Sequence, residues 1–231
     1  MIKAVIFDLD GTLLDRNTSL HHFVVDQYLR IIHNAKSIGM ERYTNRFIEL
    51  DHRGYVWKDR VYQELIKEFE LPLDWNELLA DYRTGFCKHA IPFPNMHEVL
   101  KRLKNRGYKL GIITNGFGDF QSSNIEALGI RKYFEVILIS EIEGIRKPDP
   151  AIFLRAAERM GVQPQACVYV GDHPANDITA SKNAGMKGIW KEDAFYTEPV
   201  EYDGVVRDLL EIERIIEQWN FEIKLIVGEQ L

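Results

Sequence analysis

The sequence predicts an α/β fold, namely a doubly wound parallel sheet with an inserted all-helical domain. Three observations predict it. Short apolar runs recur along the chain, and each closes on a polar or glycine residue. Helical patterns fill the segments between these runs, and one long early stretch shows helical patterns alone. Short continuous apolar runs are typical of strands buried on both faces, which occur mainly in parallel sheets.

The apolar runs are the predicted strands. They cover residues 4–7, 110–113, 136–139 and 167–170, with 188–190 as a weaker fifth. Because strand and helix alternate throughout residues 91–218, we expect parallel strands joined by crossover helices. In such a sheet, ligands bind at the C-terminal ends of the strands.

Two helices in this region have clear signals at their ends. The first lies between Asn95, a favoured residue at a helix start, and Gly107, a favoured residue at a helix end. Its apolar residues, spaced for one helix face, are Met96, Val99, Leu100 and Leu103. The second begins at Pro150, directly after Asp149, because the missing N–H of proline costs little in a first turn.

Residues 16–90 interrupt the alternation of strand and helix. Apolar residues follow a largely helical period over 20–32 and again over 61–69, and no strand pattern lies between them. The sequence therefore predicts a helical domain at 16–90, inserted into a core domain made of 1–15 and 91–231. The tail at 221–227 is apolar and β-prone, which leaves open an edge strand or a packed extension.

Composition and charge restrict the classes of partner. The 231 residues are 45% hydrophobic and 28% charged, as in an ordinary globular protein, and the net charge is −6. That charge lacks the basic surplus that nucleic acids and anionic membranes attract, so we expect neither as a partner. A small phosphorylated molecule stays compatible, because one lysine and one metal ion can neutralise it locally. No heptad pattern indicates an oligomeric state.

The cysteines and the N-terminal residues bear on the cellular compartment. The two cysteines, Cys87 and Cys167, have no metal-ligand spacing and no disulfide pattern. The first apolar run is interrupted by Asp8, too early for a signal peptide, and no apolar stretch reaches transmembrane length. We therefore expect a cytoplasmic location.

Polar residues follow each of the main predicted strands. Asp8 and Asp10 come after the first, and residues two apart on an extended chain project from the same face. Two carboxylates at one strand tip can divide the work between an ionised group and a proton carrier. After the second strand, Thr114 and Asn115 offer a hydroxyl, an amide and backbone N–H groups, which suit phosphate oxygens.

The last two strand ends supply a cation and further carboxylates. Lys147 lies in a stretch stiffened by the prolines on either side of Asp149 and can act as a fixed positive charge. Asp172 and Asp177 follow the fourth strand, and such hard oxygen ligands suit Mg²⁺.

These four segments, in this order and each at a strand end, resemble the four signature motifs of the haloacid dehalogenase (HAD) superfamily, in its phosphatase branch. The match covers residues 1–14 and about 91–200. The helical insertion resembles the cap domain found after the first motif in many members. The resemblance implies a Rossmann-like core and a helical cap at 16–90.

The resemblance also implies a role for each motif residue. Asp8 would be the nucleophile that forms an aspartyl-phosphate, while Asp10 would protonate the leaving oxygen and then activate water. Thr114 and the backbone of Asn115 would bind the phosphoryl group. Lys147 would steady both the nucleophile and the phosphate.

The implied cofactor is Mg²⁺. Asp8, the carbonyl of Asp10 and Asp172 would hold the ion. Asp177 would lie just outside these ligands or reach the metal through a water molecule. The expected function is Mg²⁺-dependent hydrolysis of a small phosphate monoester, with a nucleotide or sugar phosphate as the favoured substrate class.

Three other functions stay open on the same core: hydrolytic dehalogenation, phosphomutase activity and a catalytically silent regulatory role. Asp10 and Asp172 favour phosphate chemistry, because a leaving alkoxide needs a proton and a phosphate dianion needs a metal. No motif residue is missing, which disfavours the silent role. The basic residues of the insertion that could grip a substrate are Arg46, Arg53, Lys58 and Arg83.

Overall fold

The computed structural model describes residues 1–35, 38–197 and 200–228. The chain divides into two compact units, one formed by Met1–Leu14 with Pro92–Leu231 and the other by Asp15–Ile91. Within the described ranges, no helix is both long enough and apolar enough to cross a bilayer.

The first unit is built on a six-stranded sheet in which all neighbouring strands are parallel. The spatial order is β3-β2-β1-β4-β5-β6. The strands are β1 (Ala4–Phe7), β2 (Lys109–Thr114), β3 (Val136–Ile139), β4 (Cys167–Gly171), β5 (Lys187–Lys191) and β6 (Gly204–Val206). The predicted parallel α/β sheet is confirmed. The short β6 was not predicted, because three residues at the sheet edge carry too little pattern to be recognised.

Helices connect the strands and make up the second unit. They are α1 (Arg16–Gln27), α2 (His33–Ala35), α3 (Met40–Asp51), α4 (Lys58–Phe69), α5 (Trp75–Gly85), α6 (Met96–Asn105), α7 (Gly118–Ala127), α8 (Ser140–Glu143), α9 (Pro150–Arg159), α10 (Ala180–Asn183) and α11 (Glu211–Gly228). Two π-helical segments, Tyr28–Ile32 and Pro174–Thr179, precede α2 and α10.

Both faces of the sheet are covered. Ile6 and Ile113 pack with Phe153 of α9 and Ala180 of α10 in one buried cluster on one face. Their strand neighbours point to the opposite face and are equally buried, and α6 contacts β2 while α11 contacts α6 and β6. A sheet buried on both faces explains the continuous apolar runs of the sequence.

Two expectations change in detail. Asn95 precedes α6 as predicted, but it does not cap the helix with its side chain; its φ is +63° and its side-chain amide instead donates to Asp208 at 2.7 Å. The tail at 221–227 is part of α11, so the edge-strand alternative is wrong. The helical period continues from Glu211, and this local pattern prevails over the β-propensity of the last residues.

Register brings the strand ends of the first unit together. Phe7 pairs with Ile112 on one side and with Val170 on the other. The backbone N–H of Asp8 continues this pairing by donating to the Val170 carbonyl at 2.9 Å. The residues that follow β1, β2 and β4 therefore leave the sheet side by side at its C-terminal edge.

The second unit has an aromatic core. Phe47 of α3 meets Tyr62 of α4 edge-on at 5.4 Å between ring centroids, and Phe23 of α1 meets Tyr82 of α5 in the same way at 5.4 Å. The Tyr62 hydroxyl donates to the buried amide oxygen of Gln27 at 2.9 Å. Buried aromatic side chains contribute large apolar areas to such a core and help to stabilise it.

A buried ion cluster ties three segments of this unit together. Asp51 at the end of α3 is 1% exposed, and Arg16 at the start of α1 donates to both of its oxygens at 3.0 and 3.1 Å. Lys58 at the start of α4 donates to the same carboxylate. Burial alone would raise the pKa of Asp51, but Arg16 and Lys58 outweigh it and hold the pKa below its ordinary value.

We expect Asp51→Asn to lower the free energy of unfolding by about 3–5 kcal/mol, because it leaves two cations without their buried counter-charge. The depressed pKa means that this contribution is present at neutral pH and is lost as the pH falls through the folded-state pKa of Asp51. Urea unfolding of wild type and variant at a series of pH values below 6 measures both effects. The two stabilities should converge on acidification, and a constant difference would contradict this assignment. Asp74→Asn is the control, because asparagine caps α5 as well as aspartate does.

Candidate active site

The chain turns sharply after β1 and leaves Asp8 buried at the strand tip. Asp8 is 5% exposed. Gly11 makes the turn with φ +87°, and its N–H donates to the Leu14 carbonyl at 2.9 Å. A Cβ at Gly11 would lie 2.4 Å from an oxygen of Asp172. Glycine is therefore required here both for the backbone conformation and for the close approach of the Asp172 carboxylate.

Lys147 is the cation of the site, and all three of its ammonium protons are engaged. Nζ donates to Asp8 Oδ1 at 2.6 Å, to Asp177 Oδ1 at 2.6 Å and to the Tyr169 hydroxyl at 2.9 Å. Tyr169 donates in turn to the Ile113 carbonyl at 3.0 Å. The ammonium group is 4% exposed, and although burial opposes its charge, Asp177 and Asp8 raise its pKa. Lys147 thus stays a fixed positive charge beside Asp8.

The side chain of Asn115 makes hydrogen bonds to the backbone of Lys147. Its amide nitrogen donates to the Lys147 carbonyl at 2.9 Å, and its amide oxygen accepts from the Lys147 N–H at 2.9 Å. This pair of hydrogen bonds joins the end of β2 to the loop that carries the lysine. The side-chain amide suggested by the sequence as a phosphate ligand is therefore occupied, and the backbone N–H of Asn115 is the group left for that role.

Asp177 also uses its carboxylate on protein donors. Oδ1 accepts from Lys147, and Oδ2 accepts from the backbone N–H of His173 at 2.9 Å. Asp177 packs so closely on Gly171 that a Cβ there would lie 2.5 Å from its side chain. Both carboxylate oxygens of Asp177 therefore accept from protein donors, and one of them orients the Lys147 ammonium group.

Asp172 differs from its neighbours because its carboxylate has no such donors. Its backbone carbonyl accepts from the Trp190 indole N–H at 2.8 Å, which fixes the residue. The residue is 7% exposed, yet no group in the described ranges donates to its carboxylate. Burial, together with the charge of Asp177, raises the pKa of Asp172 to about 7.

These carboxylates fit a divalent cation. One oxygen each from Asp8, Asp172 and Asp177 can be chosen so that all three lie within 4.8 Å of one another. Lys147 compensates only one of the three charges, and burial followed by the carboxylates of Asp177 and Asp172 raises the pKa of Asp8 despite the lysine. A hard cation would remove this repulsion and would supply the partner that the Asp172 carboxylate lacks.

The remaining predicted residues, Asp10 and Thr114, meet through a side chain that the sequence did not single out. Gln121 of α7 donates from Nε2 to Asp10 Oδ2 at 2.6 Å and to Thr114 Oγ1 at 2.9 Å. Thr114 is 1% exposed, whereas Asp10 is half-buried. Gln121 therefore connects the Asp10 carboxylate to the Thr114 hydroxyl.

Comparison with known proteins identifies the family. A family model described as haloacid dehalogenase-like hydrolase matches residues 5–191, which include every site residue above. The chain belongs to this family. The resemblance seen in the four motifs is thereby confirmed for this HAD-like hydrolase.

Two curated relatives of the HAD-like hydrolase are phosphatases by name. The glyceraldehyde 3-phosphate phosphatase of Pyrococcus furiosus is 30% identical over 228 residues, with 95% of each chain covered. The phosphoglycolate phosphatase of Aquifex aeolicus is 28% identical, with 80% of this chain and 83% of the relative covered.

Solved structures of two relatives share the fold. A HAD phosphatase from Thermococcus onnurineus has a TM-score of 0.67 and 28% identity, covering 93% of this chain and 98% of its own. A 2-haloacid dehalogenase from Pseudomonas syringae pv. Tomato DC3000 has a TM-score of 0.63 and 29% identity, covering 95% of this chain and all of its own. Fold similarity thus extends to both branches of chemistry, so the residues of the site have to distinguish them.

Sequence reasoning missed three side chains that organise the site of this hydrolase. Tyr169 lies within the apolar run of β4, Gln121 lies on α7, and Trp190 lies on β5. Nothing in a single sequence separates Tyr169 and Trp190 from ordinary core residues. Gln121 lies seven residues after Thr114 in the sequence. Only the packing of α7 shows that its side chain is buried, with 2% of it exposed.

Two of the basic residues considered in the insertion have partners within the helical unit. Lys58 belongs to the ion cluster around Asp51. Arg46 makes exposed ion pairs with Glu49 and Glu68 at 2.8 and 2.7 Å. These contacts give both residues a structural explanation and do not require a substrate.

Proposed function

We propose that this protein is a Mg²⁺-dependent phosphatase that hydrolyses a small phosphate monoester through an aspartyl-phosphate on Asp8. One observation carries the proposal: the buried Asp8 carboxylate is ion-paired with Lys147 beside an Asp172 carboxylate that lacks a donor. The two phosphatase relatives support the reaction class, a phosphoric monoester hydrolase.

The physical requirement is to bring a carboxylate up to a phosphate dianion. Lys147 offsets part of the repulsion from a fixed position, since three protein acceptors hold its ammonium group. Asp8, Asp172 and the Asp10 carbonyl are the groups that would hold Mg²⁺. The bound ion would neutralise phosphoryl oxygens and so lower the barrier to attack.

Asp8 would attack phosphorus in the first step, forming a P–O bond while the bond to the ester oxygen breaks. Asp10 would give its proton to that leaving oxygen, and Thr114 and the Asn115 N–H would hold the phosphoryl oxygens. In the second step Asp10 would take a proton from water, whose oxygen attacks phosphorus and releases Asp8 and inorganic phosphate. Covalent catalysis replaces one difficult displacement by two easier ones.

For the substrate we propose a short-chain phosphate monoester of the kind named for the relatives, which include glyceraldehyde 3-phosphate and phosphoglycolate phosphatases. A triose phosphate lies within the sugar phosphate class favoured by the sequence. We further propose that the helical unit, Asp15–Ile91, is the cap domain and that selectivity among such esters resides in it.

The test is phosphate release from a panel of esters with and without Mg²⁺. Glyceraldehyde 3-phosphate, phosphoglycolate, phosphoserine, a nucleoside monophosphate and a hexose phosphate separate the substrate classes. Parallel assays of halide release from 2-chloropropionate, and of phosphoryl transfer from a hexose bisphosphate, address the dehalogenase and mutase alternatives. Halide release without phosphate release would overturn the proposal, and inactivity on every compound would favour a regulatory role.

Magnesium is expected to stabilise the protein directly. At 100 times its dissociation constant, Mg²⁺ should raise the free energy of unfolding by about 2.7 kcal/mol. Asp172→Asn should lose most of this increase, because asparagine brings no negative charge to the ion. Thermal melts with Mg²⁺ or EDTA measure the effect. Asp149→Asn is the control, since Asp149 is exposed and asparagine caps α9 equally well; equal responses in all three proteins would contradict the site.

A further inference from the structure

The Gln121 amide is a buried polar group that the proposed mechanism does not use. It is 2% exposed, on the face of α7 that packs against the end of β2. Its Nε2 has three acceptors in range: Asp10 Oδ2 at 2.6 Å, Thr114 Oγ1 at 2.9 Å and the Asn115 carbonyl at 3.2 Å. An amide has only two protons, so the acceptors compete, and Asp10 Oδ2 makes the shortest contact.

The orientation of the amide is fixed from its other end. Gln121 Oε1 accepts from the side chain of Asn124 at 3.2 Å, and Asn124 is fully buried one turn further along α7. Gly116 supplies the room for this arrangement, because a Cβ there would lie 2.8 Å from Cγ of Gln121. The N–H₂ group of Gln121 is therefore directed at Asp10 and Thr114 by packing that is independent of either.

Asp10 depends on this contact. In contrast to Asp8, it is half-buried, and no other group in the described ranges donates to its carboxylate. The hydrogen bond from Gln121 therefore determines where the Asp10 carboxylate lies. The same amide also contacts Thr114, so the distance between the acid and the phosphate-binding hydroxyl is set by one side chain.

We propose that Gln121 is a positioning residue that holds the Asp10 carboxylate at the place where it protonates the leaving oxygen. This inference rests on the proposed phosphatase function and goes beyond it by assigning a role outside the four motifs. It makes a distinctive prediction, because protonation matters only for leaving groups that are strong bases. An alkoxide needs the proton, whereas p-nitrophenolate leaves without it.

The experiment compares kcat/KM on two probes, p-nitrophenyl phosphate and the alkyl ester among phosphoglycolate, glyceraldehyde 3-phosphate and phosphoserine that wild type hydrolyses fastest. This constant covers the steps up to departure of the leaving group, so it excludes the later attack of water, in which Asp10 would also act. In Gln121→Met, which keeps the shape and loses the donor, kcat/KM on the alkyl ester should fall by about 10- to 100-fold. On p-nitrophenyl phosphate it should fall by less than about threefold, since general acid catalysis contributes little there.

Two further variants keep the test decisive. Gln121→Glu retains the shape but places a carboxylate against Asp10, so it should show the same selective loss even if Gln121→Met folds poorly. Gln218→Glu makes the same chemical change at an exposed position of α11 and should leave the ratio of the two kcat/KM values unchanged. Thermal melts confirm that each variant is folded.

The outcomes separate the two proposals. A selective loss on the alkyl ester supports the positioning role. An equal loss on both probes, or no loss, overturns it while leaving the phosphatase function in place, because a merely structural defect in α7 or at Thr114 would act on both probes alike. Wild type without activity on either probe would instead overturn the proposed function itself, and the positioning role with it.

Discussion

Asp8→Asn is expected to abolish turnover and leave the fold intact. Without an ionised carboxylate there is no nucleophile, so kcat should fall by at least about 10⁴-fold. The fold should survive because asparagine has nearly the same shape and its amide oxygen can still accept from Lys147. Phosphate release under saturating ester and Mg²⁺ measures the first expectation, and urea unfolding measures the second.

The covalent step gives this prediction a second measurement. Wild type quenched in acid during turnover should carry one added phosphoryl group by mass spectrometry, and Asp8→Asn should carry none. Asp74→Asn makes the same change at an exposed helix cap and should retain both activity and the adduct. A wild-type rate in Asp8→Asn, or an adduct mapped to another residue, would contradict Asp8 as the nucleophile.

Lys147→Met is expected to lower both activity and stability. It removes the ammonium group that pairs with Asp8 and Asp177 and leaves the three buried carboxylates of the site without their cation. Loss of one partner from a buried ion pair costs about 3–5 kcal/mol of stability. Activity should fall by about 10³-fold or more, because the charge that steadies the phosphate is lost.

Added Mg²⁺ distinguishes the two losses. Because the ion would restore part of the missing positive charge, it should raise the melting temperature of Lys147→Met more than that of wild type, while activity stays low. Lys101→Met is the matched control: Lys101 is exposed on α6, and its loss should change neither property. A Lys147→Met protein as stable and as active as wild type would show that the lysine is dispensable.

Several features were predictable from the sequence because their signals are local. The buried strands read as continuous apolar runs, and the start of α9 followed from Asp149 and Pro150, which cap and open it as expected. The family followed from four short motifs in register, each at a strand end. In a parallel sheet the strand order and direction bring such ends to one edge, so motifs far apart in sequence could be placed together.

Other features depended on tertiary packing. Asn95 was expected to cap α6, but its amide turned to Asp208, 113 residues away, a contact that no local pattern contains. The apolar tail left open an edge strand or a packed extension, and the structure shows it as the continuation of α11.

The sequence by itself determined five of the six strands, the family and the candidate carboxylates and lysine of the site. Strand periodicity and motif spacing are properties of short segments, so a single sequence carries them. Only the tertiary structure decided what each of these side chains touches. Asn115 makes hydrogen bonds to the backbone of Lys147, the Tyr169 hydroxyl accepts the third hydrogen bond of the Lys147 ammonium group, and Gln121 donates to Asp10. All three are contacts between segments distant in sequence. Such contacts arise when helices pack on the sheet and strands pair side by side. They therefore depend on the whole fold and not on the local sequence around either residue.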